Sequence, residues 1–548
     1  MKYVMIKSKI ALLICSFLCF SSIFLSYGES FEIPEKIKVG LRYGNNAVAS
    51  VHMQSANGFR MGYMDSEERF IELYDLGAEK DVYIRKDSYY LLMDNYYYEY
   101  DFVSPRDDNR NDIIGPIHLQ VGDGYNTKNQ ASSYAEDLKR LGLDAFIALD
   151  VNWKVWIGKY KTYSMAERDL NEIRALLGGP NMSVISYNKS RAQVVNKDGE
   201  ILFIYHPGNA DYCFEPKNDG LTVIDNKTFR GGFIFKNAPN NNMTVINYLS
   251  LDEYLFGVLP REMAPNSPLE ALKAQAVAAR SYTIKKMNNH ASDHFDLCNS
   301  THCQVYGGYS DEQSSTTRSV METSGKVLLY LGIPIDAFYH SNSGGYTENA
   351  ENIWVSVVPY LKGVKDIFSP EYLWEATYTP VELETLLKEK GLYKGSIKDI
   401  YIAEVSEYLS VQRLVIQGTM GDIVLEKDNI RSVLGYNTIK SLKFNVIKGT
   451  ELYVENNVVK NGIDLGNIYI LNGDGAIVRM NNSSIIYSTN GKTTQSYENV
   501  ATHVYKFSGT GYGHSVGMSQ AGAKKMAELG YNYKEILTHY YTDVVLTD

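Results

Sequence analysis

A chain of 548 residues, 44% hydrophobic and 22% charged, can bury more than one core, which excludes a disordered polypeptide and argues for several domains. Its net charge of -10 excludes a general nucleic-acid binder, because such binders draw their affinity from Lys and Arg that neutralise phosphates. Five cysteines shrink to three outside the N-terminal leader, Cys213, Cys298 and Cys303, an odd number that excludes a disulfide scaffold.

In chain order, Lys2, Lys7 and Lys9 precede the apolar run from Ile10 to Tyr27, with Ser26 and Gly28 placed for cleavage. Residues 1–28 are thus expected to be a signal peptide or membrane anchor, since about 18 apolar residues sit at the lower limit for a span. The bulk of the chain would be extracytoplasmic, at the cell wall, and would meet the membrane only through this segment. Residues 33–112 alternate as short strands, for example at Ile37, Val39 and Leu41, and include a Tyr-rich patch from Tyr89 to Tyr100. The 44 tyrosines suit carbohydrate faces, although rings of this kind also fill cores.

The stretch 115–188 reads as β-α-β-β-α-β. Ile117 to Val121 predicts a strand, and Ala131, Tyr134, Ala135, Leu138 and Leu141 fall at helical spacing before Gly142. Strands over Ala145–Leu149 and Trp153–Ile157 follow, then a helix opened by Ser164 and Glu167 as a capping box, and a strand near Met182. That order is the split βαβ of a ferredoxin-like sandwich. Strand patterning resumes through Ile201–Tyr205, Gly231–Phe235 and Met243–Leu249, so the ferredoxin-like unit is expected to interrupt a β-rich domain.

From Ser250 the chain becomes helical. Ser250 with Glu253 and Ser267 with Glu270 predict two capping boxes, with Pro268 at the first position of the second helix. Leu269, Leu272, Ala276 and Ala279 form one apolar stripe of that helix, while Lys273 and Arg280 share another face. Glu262 lies between the helices in a turn held by Pro260 and Pro265, where its carboxylate can face a cleft. Arg261, Lys273 and Arg280 would lower its pKa, whereas a general acid wants it raised by burial.

Cys298, His302 and Cys303, with His294 just upstream, form a two-cysteine, two-histidine set of the kind zinc accepts in a closed structural site; His290 competes with His294 for the fourth place. A disulfide between Cys298 and Cys303 is the alternative for an exported protein. YHSNSGG, Tyr339 to Gly345, offers small residues that let backbone amides approach a sugar, and GYGHSVGMSQ sets His514 in a glycine-rich turn. The glycines of GTGYGH lack the βαβ frame of a dinucleotide site, so no nucleotide cofactor is expected.

EYLFGVLPREM, LEALKAQAVAARSYT, HFDLCNSTHCQVYGGY, AFYHSNSGGYTENAENIW, PYLKGVKD and GTGYGHSVGMSQAGAKKMAELGYNYKEILTHYY, spread in that order, resemble the stage II sporulation protein D (SpoIID/LytB) family of cell-wall lytic transglycosylases. IHLQVGDGYNTKNQASSYAEDLKRLGLDAF with WKVWIGKYKTYSMAERDLNEI resembles the sporulation-related repeat (SPOR) domain. The first resemblance implies Glu262 as catalytic acid/base, with Lys273 and Arg280 beside it. It further implies cleavage of the β-1,4 bond between N-acetylmuramic acid and N-acetylglucosamine to a 1,6-anhydro product. Gln304, Tyr306, His340, Ser341, Ser343, Gly344, Gly345 and His514 are the expected substrate contacts. The metal set is His294, Cys298, His302 and Cys303. The second resemblance implies binding of peptide-free glycan strands. Engulfment during sporulation, beside a stem-removing amidase, is the implied setting; a non-catalytic enhancer of such an amidase, or a zinc hydrolase of the peptide stems, are the alternatives. The expected fold is α+β: a β-rich part, a SPOR-like unit at 115–188 and a catalytic region over 190–548.

Overall fold

The computed structural model describes residues 31–67, 69–93, 96–100, 112–239, 242–449, 469–471, 477–479, 485–489, 494–498 and 504–547. The expected export signal and part of the Tyr89–Tyr100 patch lie outside them. No helix among the described residues is long and apolar enough to cross a membrane.

Strands and helices mix as an α+β protein. One seven-stranded sheet runs in the order Leu297–Cys298, Lys36–Arg42, Met243–Ser250, Gly232–Asn237, Cys213–Pro216, Phe59–Met64, Phe70–Asp75. Segments before and after the ferredoxin-like unit are therefore combined in one sheet. The pairing is dictated by apolar alternation: Ile37 and Val39 are fully buried and stand opposite Leu249 and Asn247.

The β-α-β-β-α-β unit carries helices α1 (Lys128–Arg140) and α2 (Tyr163–Leu176). Thr127 and Thr162 cap them. The expected Ser164/Glu167 box is not formed, because the extended backbone before this helix belongs to Thr162, whose hydroxyl accepts from Met165 N, and Ser164 is already inside the helix. The four strands of the unit do not form a sheet of their own. Ala145–Leu149 pairs in parallel with Ile201–Tyr205, Ile147 opposite Phe203, which extends the unit into a ten-stranded sheet shared with Ala192–Asn196, Asp81–Lys86 and Ser50–Gln54.

A buried polar knot pins the same seam. The Asp87 carboxylate, fully buried, accepts from Arg191 Nε at 2.7 Å and Gln193 Nε2 at 2.8 Å, and lies 3.2 Å from His118 Nε2. His118 Nδ1 reaches Gly158 O at 2.6 Å, Arg191 Nη2 reaches Pro116 O at 2.8 Å, and Trp156 stacks on the His118 ring. Burial pushes against ionisation of Asp87, yet His118 and Arg191 hold its pKa below the usual range.

Beyond Ser250 the chain supplies α3 (Leu251–Glu262), α4 (Leu269–Lys286), α5 (Ser314–Met321), α6 (Ala350–Ile353), α7 (Pro380–Glu389), α8 (Asn429–Leu434), α9 (Gln520–Glu528) and α10 (Tyr533–Tyr540). Ser250 and Glu253 form the expected capping box of α3. Ser267 and Glu270 do not form one: Pro268 is the N-cap of α4, and Glu270 is drawn away to Lys273 Nζ and the backbone N–H of Tyr533. Nor does α4 show a single apolar stripe. It is buried on every side, giving Ala276, Ala279 and Ile284 to the core of the two sheets and Ala274, Val277 and Ala278 to the core of the C-terminal half.

Removing one partner from the Asp87 knot leaves buried charge unmatched, so Asp87→Ala should lower unfolding free energy by about 3–5 kcal/mol, read from urea denaturation. A change under about 0.5 kcal/mol would mean the seam is wet and the knot superficial.

Candidate active site

Glu262 is the last residue of α3, not a residue of the following turn, since Pro260 sits inside the final helical turn and the helix runs on past it. The carboxylate is half-buried and lines a cleft of about 400 Å³. Tyr282, Gln304, Phe338, Tyr339, Trp354 and His514 are prominent in its wall, and among the described lining residues Glu262 is the sole carboxylate. The backbone is fixed there by Gln520 at the start of α9, whose Nε2 donates to Glu262 O at 2.9 Å.

Burial raises the Glu262 pKa to about 7, and a hydrogen bond from the Tyr339 hydroxyl moderates the rise. The three cations that could have cancelled this are already matched. Arg261 is paired with Asp311, Lys273 with Glu270 and Glu322 at 2.8 Å each, and Arg280 with Asp252 at 2.8 Å. Arg280 is fully buried and also donates to the carbonyls of Val320, Thr323 and Lys326 at the end of α5. Neither Lys273 nor Arg280 lines the cleft. The structure gives them the task of holding α4 against α5.

Tyr339 was missing from the residues expected to act, although it opens the YHSNSGG motif. Its hydroxyl accepts from Gln304 Nε2 at 3.0 Å, so its own proton is directed to Glu262. Gln304 is in turn fixed because its Oε1 accepts from Thr283 Oγ1 at 2.9 Å and Tyr254 OH at 3.2 Å. The series Thr283, Gln304, Tyr339 is thus a one-way arrangement of donors, and the hydroxyl at its end lowers the Glu262 pKa. A tyrosine in a turn-like motif carries no sequence signal for this; only the parallel pairing of Tyr339–His340 with Met518–Ser519 places it.

Of the expected substrate contacts, Gln304 and His514 line the cleft. His514 Nδ1 accepts from Val516 N at 3.0 Å, which leaves the proton on Nε2, and burial lowers its pKa to about 4, so it stays a neutral donor. The others do not line it. Tyr306 is buried and donates to Asn247, and His340 is buried with Nδ1 on Val516 O. Ser343 is buried and donates to Asp366, the amides of Gly344 and Gly345 are taken by Asn342 Oδ1 and Ser343 Oγ, and Ser341 is exposed. These amides are spent within the loop and do not await a sugar. At Gly344 (φ 66°) a side chain would also strike Thr510 and Gly511, so the glycine serves close approach of two loops.

The thiol and imidazole cluster adjoins the cleft through Cys303. Its members are His290, Cys298, His302 and Cys303, with donor atoms all within 4.8 Å of one another. The fourth member is His290, not His294. A left-handed turn at His294 (φ 71°) reverses the chain, and His290 is stacked on Phe295, which itself fits only because residue 40 is glycine. His302 Nδ1 lies 3.3 Å from His290 Nε2, 3.7 Å from Cys298 Sγ and 3.4 Å from Cys303 Sγ. One nitrogen cannot hydrogen-bond three such neighbours. The edges of a tetrahedron with zinc-like bond lengths, about 3.3 Å between nitrogens and about 3.5 Å from nitrogen to sulfur, match them. Among the described residues, Cys213, Cys298 and Cys303 are unpaired thiols.

A half-buried acid, a tyrosine beside it and a thiol-imidazole cluster thus meet at one cleft. Residues 239–330 match the model of the "Stage II sporulation protein" family, and residues 115–186 match the SPOR domain. The chain is 36% identical over 301 residues to the "Amidase enhancer" of Bacillus subtilis (strain 168), spanning 54% of this chain but 40% of that protein. It is 30% identical over 326 residues to "Stage II sporulation protein D" of Bacillus amyloliquefaciens, spanning 56% of this chain and 77% of that one. It is also 30% identical over 400 residues to an uncharacterized protein of Brachyspira hyodysenteriae, spanning 71% and 88% of the two chains. The chain belongs to the stage II sporulation protein D family and carries a SPOR domain.

Tyr339→Phe removes the bond that lowers the Glu262 pKa, so the titration of Glu262, followed by carboxyl NMR, should move upward from about 7. An unchanged or lower midpoint would mean that the hydroxyl does not reach the carboxylate.

Proposed function

We propose that this protein is a lytic transglycosylase of peptidoglycan, cutting the bond between N-acetylmuramic acid and N-acetylglucosamine in peptide-free strands. The observation that carries the reading is the single cleft carboxylate whose pKa burial raises to about 7. Glycosidases that activate water or form a covalent sugar need two carboxylates flanking the bond. With an internal nucleophile, one suffices. Protonated Glu262 gives its proton to the leaving glycosidic oxygen as the C1–O bond breaks. The muramic C6 oxygen then bonds to C1, and its proton returns to Glu262, closing the 1,6-anhydro ring and resetting the acid. The Tyr339 hydroxyl favours the carboxylate form of Glu262 once its proton has left, and the neutral His514 ring lines the same cleft.

The His290, Cys298, His302, Cys303 set fits one structural zinc ion, which would close the loop and so fix Gln304, the next residue, beneath Tyr339. Four protein ligands leave no open position for water, which disfavours a zinc hydrolase of peptide stems. The SPOR unit supports glycan binding next to glycan cutting, extracytoplasmically, in sporulation wall remodelling. The kinship to a protein named an amidase enhancer supports a second reading, in which the chain binds the wall and stimulates a separate amidase without cutting.

Purified wild type should generate 1,6-anhydro-muramic ends from peptide-free strands, seen by mass spectrometry, and Glu262→Gln should lose about 10²-fold or more of that rate. Because Glu262 must be protonated to start, the rate should fall as pH rises through about 7. Cleavage unaffected by Glu262→Gln would remove it from the chemistry, and no cleavage at all would leave the enhancer reading. Metal analysis should find one zinc per chain in wild type and in His294→Ala but a loss in His290→Ala; equal loss in both would contradict the assignment of the fourth ligand.

A further inference from the structure

Arg85, in the strand Asp81–Lys86, has no ion-pair partner among the described residues, although the Asp87 charge acts on it from a distance. It is 4% exposed, and its Nη2 is buried with no hydrogen-bond partner. Its one hydrogen bond, from Nε to Gln193 Oε1 at 2.9 Å, goes to a neutral amide. The carboxylate that acts on it, Asp87, is already taken by Arg191 and Gln193. The Tyr90 and Tyr97 rings lie 4.3 Å and 4.8 Å from its guanidinium carbon, which softens the cost of burial but does not cancel the charge. A buried cation of this kind is costly unless something anionic completes it.

A cavity of about 140 Å³ opens beside it, walled by Tyr83, Tyr90 and Tyr97, with Asn196 and the exposed Lys197 at its rim. No residue of this cavity lines the Glu262 cleft. Three tyrosine rings suit a pyranose face, the size admits about one sugar ring, and two cations suit a carboxylate. We infer that this cavity is a second saccharide site, which takes a single pyranose bearing a carboxylate, with the carboxylate on Arg85 and Lys197 and the ring against Tyr83 and Tyr97. This rests on the reading of the protein as a peptidoglycan enzyme and sharpens it. Muramic acid shows a free lactyl carboxylate only where its peptide stem has been removed, so the site would select stripped strands on chemical grounds, apart from the cutting cleft.

The test is calorimetric titration of the full chain, carrying Glu262→Gln to prevent turnover, with N-acetylmuramic acid. N-Acetylglucosamine, D-lactate and inorganic phosphate serve as comparison ligands. N-Acetylmuramic acid should bind, and each of the other three should bind at least about tenfold more weakly. Tyr97→Ala and Lys197→Glu should each weaken it about tenfold or more, and Arg85→Met should abolish it with an unchanged or raised melting temperature, since it removes an unmatched buried charge. Lys197 is exposed, so its variant reports on binding even if Arg85→Met fails to fold. Equal binding of the two N-acetyl sugars, phosphate binding as tightly as the sugar acid, or titrations untouched by Lys197→Glu would overturn the proposal. Cleavage by wild type without this binding would sink the second site alone. Binding without cleavage would sink the transglycosylase reading alone.

Discussion

The structure depends on α4, a helix buried on every side that joins two cores. Its run of alanines lets neighbouring elements approach closely, and that closeness leaves no solvent for the one cation in its middle. Arg280 is therefore answered by Asp252 and by three carbonyls at and just beyond the end of α5, so its buried charge is matched within the protein. With α4 and α5 fixed this way, α3 has one place to lie, and its last residue is Glu262.

The charges near that glutamate are matched elsewhere, including Arg261, which shares the cleft wall and pairs with Asp311. Each nearby cation is consumed by a carboxylate of its own, so desolvation decides the pKa of Glu262 and electrostatic attraction does not. The hydrogen-bond series from Thr283 through Gln304 then fixes the Tyr339 hydroxyl without adding charge near the carboxylate. The thiol-imidazole cluster stands one residue from Gln304. A metal bound there would act on the acid through position, with no part in the bond-breaking itself.

The SPOR domain is not a bead on a string. Its edge strand pairs with Ile201–Tyr205, and the Asp87 knot closes the seam, so a glycan held by this domain would stand at a set distance from the cleft. A flexible linker would raise local concentration over a broad range of geometries. A shared sheet chooses one geometry, and the proposed sugar-acid cavity lies on that same sheet.

Periodicity and motif order were enough to read the α+β class, the ferredoxin-like unit, the Ser250 cap and the placement of Glu262 on a cleft, because each depends on neighbours within a few residues or on long ungapped motifs. The end of α3, the Thr162 cap and the unformed box at Ser267 escaped that reading, since backbone dihedrals and distant competitors such as Tyr533 decide them. Tyr339, His290 and the pairing of every cation around the cleft were decided by tertiary structure alone. The reason is physical: which side chain is desolvated, which charge is already matched and which imidazole meets two thiols are properties of groups far apart in the chain. Only packing brings them together.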